Sequence, residues 1–231
     1  MKYKNIVEAI FIKRPNRFIC HCYIDGILAV AHVKNTGRCA ELLREGVSVY
    51  LEYAPSPRRK TDYSLIAVVK GKRLINMDSQ APNEIARKGL KSGIIKLPGL
   101  ADEISLIKQE VKYKQSRFDL YVETKQEKVL IEVKGVTLEV DGVAMFPDAP
   151  TARGDKHVNE LICAKEAGYL TYVIFIVQMT DVLYFTPNTQ RDPMLSKSLK
   201  RASKSGVGIL AYDCLVSPDE ITANKVVRVK L

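Results

Sequence analysis

The nine residues 170–178, LTYVIFIVQ, are almost unbroken in apolar side chains and constrain the fold more than any other stretch. A strand with no polar face cannot lie on a surface, so this one belongs at the centre of a sheet covered on both sides. The neighbouring pattern supplies the cover. A helix is expected from about residue 151 to 167, stopped by Gly168. Val158, Leu161, Ile162 and the Lys165 stem form its apolar stripe, and Arg153, Lys156, His157 and Glu160 share the other side. Two more helices are expected, one over residues 84–91 with Asn83 as its cap, the other near residues 193–205. With a strand over 208–214 and three strands between residues 104 and 134, the order after residue 81 reads α-β-β-β-α-β-α-β. That order implies a mixed sheet flanked by helices.

Two of those three strands lie within residues 116–134, SRFDLYVETKQEKVLIEVK. Phe118, Leu120 and Val122 alternate with Arg117, Asp119 and Tyr121, then Val129, Ile131 and Val133 alternate with Leu130, Glu132 and Lys134. Glu132 and Lys134 therefore share a face. A turn centred between Thr124 and Glu127 sets Asp119 across from Glu132, with side chains about 5 Å apart. A turn at Lys114 and Gln115 brings Glu110, on the preceding strand, opposite Asp119. Opposed carboxylates repel unless a cation lies among them, and hard oxygen donors suit Mg²⁺ or Mn²⁺. Glu-x-Lys also occurs as Glu110/Lys112 and Glu123/Lys125, so spacing alone leaves two readings open: a metal site, or a solvated sheet face laced with salt bridges. Only Glu132/Lys134 lies in a strongly apolar strand beside an Asp-bearing neighbour.

The first 80 residues have a different texture. Strands are expected over 18–24, 27–33, 47–53, 63–70 and 73–77, with Asp25-Gly26 as a hairpin turn and a short helix over 38–44. Several short strands with one small helix suit a barrel of the oligonucleotide-binding kind. Ala81-Pro82-Asn83 then marks a boundary between domains 1–80 and 81–231. Of the net charge of +10, residues 1–80 carry a surplus of 7 and the rest a surplus of 3, which favours a polyanionic partner. Lys13, Arg14 and Arg17 precede the first expected strand, and Arg58, Arg59 and Lys60 follow Pro55 and Pro57. Arg38 opens the short helix, where Asn35 or Thr36 can cap and backbone N–H groups can hold a phosphate. Loops on a rigid barrel are where a nucleic-acid backbone would be gripped. A solvated charged loop is the other reading of each cluster.

Five cysteines without a compact framework imply reduced thiols. Cys20 and Cys22 fall on one strand face and His21 on the other, so the three cannot converge on one ion. No apolar run approaches a membrane span, and the first residues lack the apolar core of a signal peptide. A cytoplasmic protein with no membrane partner is expected.

Several motifs run through the chain in order: His32-Val33-Lys34-Asn35-Thr36-Gly37-Arg38, Pro57-Arg58-Arg59-Lys60-Thr61, Glu110-Val111-Lys112-Tyr113, Ser116-Arg117-Phe118-Asp119, Ile131-Glu132-Val133-Lys134, Phe146-Pro147-Asp148-Ala149 and Thr151-Ala152-Arg153-Gly154-Asp155-Lys156-His157. By them the chain resembles the sugar fermentation stimulation protein family over nearly its whole length. The resemblance implies an α+β protein, an N-terminal OB-fold-like β-barrel followed by an α/β domain similar to the PD-(D/E)xK nucleases. On that similarity Asp119, Glu132 and Lys134 are catalytic. Asp119, Glu132, the Val133 carbonyl and Glu110 are the expected ligands of Mg²⁺ or Mn²⁺. The implied partner is DNA, bound without sequence preference through Lys13, Arg14, Arg17, Arg38, Arg58, Arg59 and Lys60, with a regulatory role in sugar (maltose) metabolism. Two functions follow, a metal-dependent endo- or exonuclease, and a DNA-binding regulator that keeps the nuclease fold without cleaving. A sugar sensor is prompted by the family name alone, with no pocket signature in the sequence.

Overall fold

Alternating apolar residues close the first 70 positions into a barrel in the computed structural model, which describes residues 1–35, 37–57 and 59–231. Its strands are β1 (Ile6–Asn16), β2 (Ile19–Ile24), β3 (Ile27–Val33), β4 (Ser48–Tyr53) and β5 (Tyr63–Lys70). β1 pairs with β2 and β4, β2 with β3, and β4 with β5. A parallel pairing of β3 with β5, Ala31 beside Tyr63 and Val33 beside Leu65, completes the closure. Phe11, Cys20, Cys22, Val33, Leu51 and Leu65 fill the interior. Cys20 and Cys22 point inward together, with sulfurs 3.9 Å apart, and His21 points the other way. Asp25 and Gly26 both take positive φ, 48° and 79°, as a two-residue hairpin that follows strand twist requires.

Two sequence expectations for this domain are corrected. β1 is a strand although Pro15 and the basic run beside it suggest a loop. The β1–β2 ladder slips between Phe11 and Lys13 and again before Asn16, so the N–H that Pro15 lacks is not needed there. Lys13 and Arg14 therefore lie in β1, and Arg17 in the hairpin turn after it. The expected helix over 38–44 does not form. Cys39 has φ +46°, and its carbonyl accepts from both Leu42 and Leu43 N–H at 3.1 and 2.9 Å, giving one closed turn. Seven residues are too few to sustain a helix alone, and burial of Leu42 and Leu43 decides the path instead.

After β6 (Arg73–Asn76), a hairpin partner of β5, the chain enters α1 (Ala81–Lys91). The helix begins earlier than expected, with Pro82 in its first turn, where a missing N–H costs nothing. Asn83 is thus not a cap, and its amide is free for other work. Then follow β7 (Leu106–Tyr113), β8 (Ser116–Glu123), β9 (Lys128–Val136), β10 (Leu138–Val140), β11 (Val143–Phe146), α2 (Ala152–Glu166), β12 (Leu170–Val177), β13 (Tyr184–Pro187), α3 (Pro193–Lys204), β14 (Gly208–Val216) and β15 (Ile221–Val226). The main sheet runs β15-β14-β12-β9-β8-β7, with β14, β12 and β9 parallel and the outer strands antiparallel. β12 is the apolar run 170–177, and it lies inside the sheet as expected. α1 covers one face, α2 and α3 the other. β10, β11 and β13 form a small extra sheet that the sequence reading missed, being strands of three or four residues.

The barrel and the main sheet are separate sheets joined through residues 77–80 by a buried polar network. Gln178, at the end of β12, donates from its amide to Asn76 O, Asn76 Oδ1 and Asp78 O at 3.1, 2.9 and 3.0 Å. Asn76 N–H donates to Gln178 O at 2.9 Å. Asp78, fully buried, pairs with Lys34 at 2.8 Å. Buried polar groups satisfied in this way fix geometry, because each alternative arrangement strands a donor or acceptor. Among the described residues no helix is long and apolar enough to cross a membrane.

Candidate functional site

The β8–β9 ladder runs from Glu123/Lys128 to Leu120/Ile131 and stops there. One step further, in the same register, Asp119 would face Glu132. Instead the Asp119 carboxylate takes the place of a backbone partner: Oδ2 accepts from Val133 N–H at 2.8 Å, and Oδ1 accepts from the Asn83 amide of α1 at 2.9 Å. The alternation of β8 breaks at this point. Leu120 packs with Ile85 and Ala86 on the α1 side, whereas Phe118 turns to the α2 side, its ring 6.1 Å from that of His157. Simple alternation puts both on one face. The break swings Asp119 toward the end of α1.

Glu132 lies in the interior of the sheet, 2% exposed and facing α2. Its Oε1 accepts from His157 Nδ1 at 2.5 Å and pairs with Lys134 Nζ, so Glu132 and Lys134 do share a face. Its Oε2 is buried with no hydrogen-bond partner. Burial pushes the Glu132 carboxyl up, but the His157 hydrogen bond and the Lys134 charge outweigh it and hold the group below the usual carboxylate range. Asp119 goes the other way. Burial raises it, and the Glu132 charge adds to this against the pull of Val133 N–H, Lys134 and Asn83. The two carboxylates thus sense each other at the end of a broken ladder, with one Glu132 oxygen orphaned. Each Asp119 oxygen spends one acceptor position and keeps another. Oxygen donors of this kind are those a hard divalent cation would use.

Glu110 does not join them. The register sets it opposite Asp119, but it takes φ +56°, stays exposed and pairs with Arg117 at 3.4 Å. Among the described residues no three of His, Cys, Asp and Glu are grouped to hold a metal.

Two residues that the sequence reading missed complete the site. Asn83, a cap by its position in the sequence, binds Asp119 instead. His157 was assigned to the polar side of α2, yet it is buried with Gly154, Val158, Leu161 and Ala164. The spacing 154, 157, 158, 161 and 164 is a helical stripe, so the signal was present; the polarity of histidine hid it.

Gly135, directly after Lys134, lets α1 close over the end of β9. A Cβ there would lie 2.5 Å from Gln178 Oε1 and 2.7 Å from Pro82 Cγ. Gly135→Ala is expected to cost about 2 kcal/mol by overpacking. It should also push Pro82 and Asn83 away from Asp119, which thermal unfolding and the Asn83 amide NMR signals would register.

Among the basic residues expected to hold DNA, Lys13, Arg17, Arg38 and Lys60 are exposed. Arg14 is spent inside the fold. Its guanidinium donates to the carbonyls of Gly37, Arg38, Arg17 and Asn35 at 2.7, 2.9, 2.5 and 2.6 Å. Arg59 likewise binds Ala54 O at 3.2 Å and Ser64 Oγ at 2.6 Å. Arg58 lies outside the described residues.

The family model described as the sugar fermentation stimulation protein RE domain matches residues 80–220, and that of the SfsA N-terminal OB domain matches residues 12–77. A sugar fermentation stimulation protein homolog of Ruminiclostridium cellulolyticum is 52% identical over the full length of both chains. One from Desulfitobacterium hafniense is 54% identical, covering 100% of this chain and 99% of its own. Among solved structures, Pyrococcus furiosus SfsA in complex with Ca²⁺ has a TM-score of 0.88 at 28% identity, covering 100% of this chain and 98% of that one.

Proposed function

The chain belongs to the sugar fermentation stimulation protein family, and from that premise we propose that it is a cytoplasmic DNA-binding protein with a metal-dependent phosphodiesterase site. The observation that carries this reading is the broken ladder at Asp119, whose carboxyl the Glu132 charge helps to raise, while Glu132 itself keeps a buried, unpartnered Oε2. Asp119, Glu132 and the Val133 carbonyl would hold Mg²⁺ or Mn²⁺. The Pyrococcus furiosus SfsA structure is a complex with Ca²⁺, which supports a divalent-cation site in the family. The bound ion supplies Lewis-acid polarisation of a phosphate and a bound water of lowered pKa. Lys134 brings a positive charge to the site, suited to orienting a phosphate oxygen or a water. Asn83 and Val133 N–H fix the rotamer of Asp119, and His157 fixes that of Glu132, as partners behind metal ligands commonly do. Five free thiols, four of them buried, suit a reducing cytoplasm.

One observation favours the second reading, a DNA-binding regulator that does not cleave. Lys134 and His157 already engage Glu132 Oε1, and the exposed Glu110 is paired with Arg117. On this reading a role in sugar metabolism runs through occupancy of DNA. Incubation with linear, supercoiled and single-stranded DNA and with RNA, in Mg²⁺, Mn²⁺ or EDTA, separates the two. Cleavage that needs metal supports the enzyme. Binding to DNA with every substrate left intact in both metals supports the silent regulator.

A further inference from the structure

Two hollows meet at Gly37. The smaller, about 190 Å³, is lined by Gly37, Pro82, Gly135, Asp148 and Gln178. It adjoins the backbone that carries the candidate site, since Gly135 follows Lys134 and Pro82 precedes Asn83. The larger, about 710 Å³, lies between the β1–β2 arm and the loop after Gly37, against Ala149. Its cations are Lys13, Arg14, Arg17 and Arg38, facing one carboxylate, Glu45. Both hollows share Gly37, and their walls are continuous through Asp148 and Ala149.

We propose that this seam between barrel and α/β domain is a subsite for one strand of nucleic acid, leading its phosphates from the candidate site past Gly37 to Lys13, Arg17 and Arg38. The inference rests on the nucleic-acid reading above and assigns the path and the strand state. Arg14 is the rivet of the seam. By tying the carbonyls of Arg17, Asn35, Gly37 and Arg38 to one guanidinium, it holds the arm and the loop together before any ligand arrives. The backbone that carries Arg17 and Arg38 is therefore preorganised, which lowers the entropy lost on binding. Size selects a single strand. A volume of 710 Å³ corresponds to a cube about 9 Å on a side, narrower than the major groove of a duplex alone at about 12 Å. Beside Arg17, whose guanidinium lies 5.9 Å from its ring, Phe18 is 50% exposed and offers a face on which a base can stack.

The test measures fluorescence anisotropy of a labelled 20-nucleotide single strand and of the same sequence as duplex, in EDTA, from 0.05 to 1 M salt. Lys13→Ala, Arg17→Ala and Arg38→Ala are combined in one variant. A control combines Lys197→Ala, Lys200→Ala and Lys204→Ala, an equal charge loss on exposed positions of α3. Three phosphate contacts on a single strand contribute about 0.7 each to the salt slope, which corresponds to about 50-fold in affinity at 0.15 M relative to 1 M. The seam variant should lose that factor and flatten the slope by about 2, with the control near wild type and thermal unfolding unchanged in both. Equal losses in the two variants, or none in the seam variant, would overturn the seam and leave the DNA reading standing. Tighter binding of duplex than of single strand by the wild type would overturn the choice of strand. A wild type that binds neither form would overturn the DNA reading and the seam with it.

Discussion

Glu132→Gln is expected to lower metal-dependent cleavage by on the order of 10³-fold while leaving the fold intact. Glutamine matches glutamate in volume and keeps an acceptor for His157 and Lys134, so the packing under α2 survives. What it removes is the charge, and with it the reason for a divalent cation to enter. A second readout does not depend on cleavage. Any ligand that binds the native state alone stabilises it, by about 2.7 kcal/mol at 100 times its dissociation constant. Mn²⁺ should therefore raise the melting temperature of the wild type and not that of the variant. DNA affinity in EDTA should hold or rise, since one negative charge near the phosphates is gone. If the variant cleaves as fast as wild type, or gains the same thermal shift, Glu132 is not a ligand and the site is a salt-bridged interior. The metal shift and the cleavage can also part company: a shift without cleavage in the wild type would identify a site that binds metal in a regulator that does not cut.

Gln178→Leu should destabilise the chain by about 2–3 kcal/mol, because the buried Asn76 carbonyl loses its donor, while Asn76 Oδ1 and Asp78 O each lose one donor and keep only the N–H of Asp78 and of Ala81. Leucine fills similar space, so no large cavity adds to this, and Gln178 is only 2% exposed, so water cannot readily take its place. The three acceptors belong to Asn76 and Asp78, the residues that lead out of the barrel. In urea the wild type should unfold in one transition, because a single apolar cluster runs from Phe11 and Leu51 in the barrel through Met77 to Val177 and Leu199. In the variant the midpoint should fall, and the barrel and α/β signals should separate. A midpoint shift under 1 kcal/mol would show that the shared apolar cluster alone couples the domains.

The central strand was legible because its signal is local: residues 170–178 carry the same message on every side, and nothing distant can turn a fully apolar strand outward. The register of residues 116–134 was nearly legible. The polar turn fixes it, and the ladder follows that register as far as Leu120/Ile131. The Glu132/Lys134 face was legible for the same reason, period-two alternation within one strand. What failed were readings that depend on distant partners. Periodicity could not foresee that β8 would lose its phase at Asp119, because the cause is a side chain accepting a backbone N–H from the next strand and an amide from α1. Arg14 looks like any exposed arginine in sequence, yet four carbonyls from two segments draw it inward. His157 looks polar until Glu132 arrives from 25 residues away to meet its ring nitrogen. The sequence by itself determined the central strand, the three helices of the second domain and the basic bias of the first. The tertiary structure alone decided which polar groups are buried together. Alternation and capping are set by neighbours along the chain, whereas a buried polar contact is set by whichever donor the fold brings within about 3 Å.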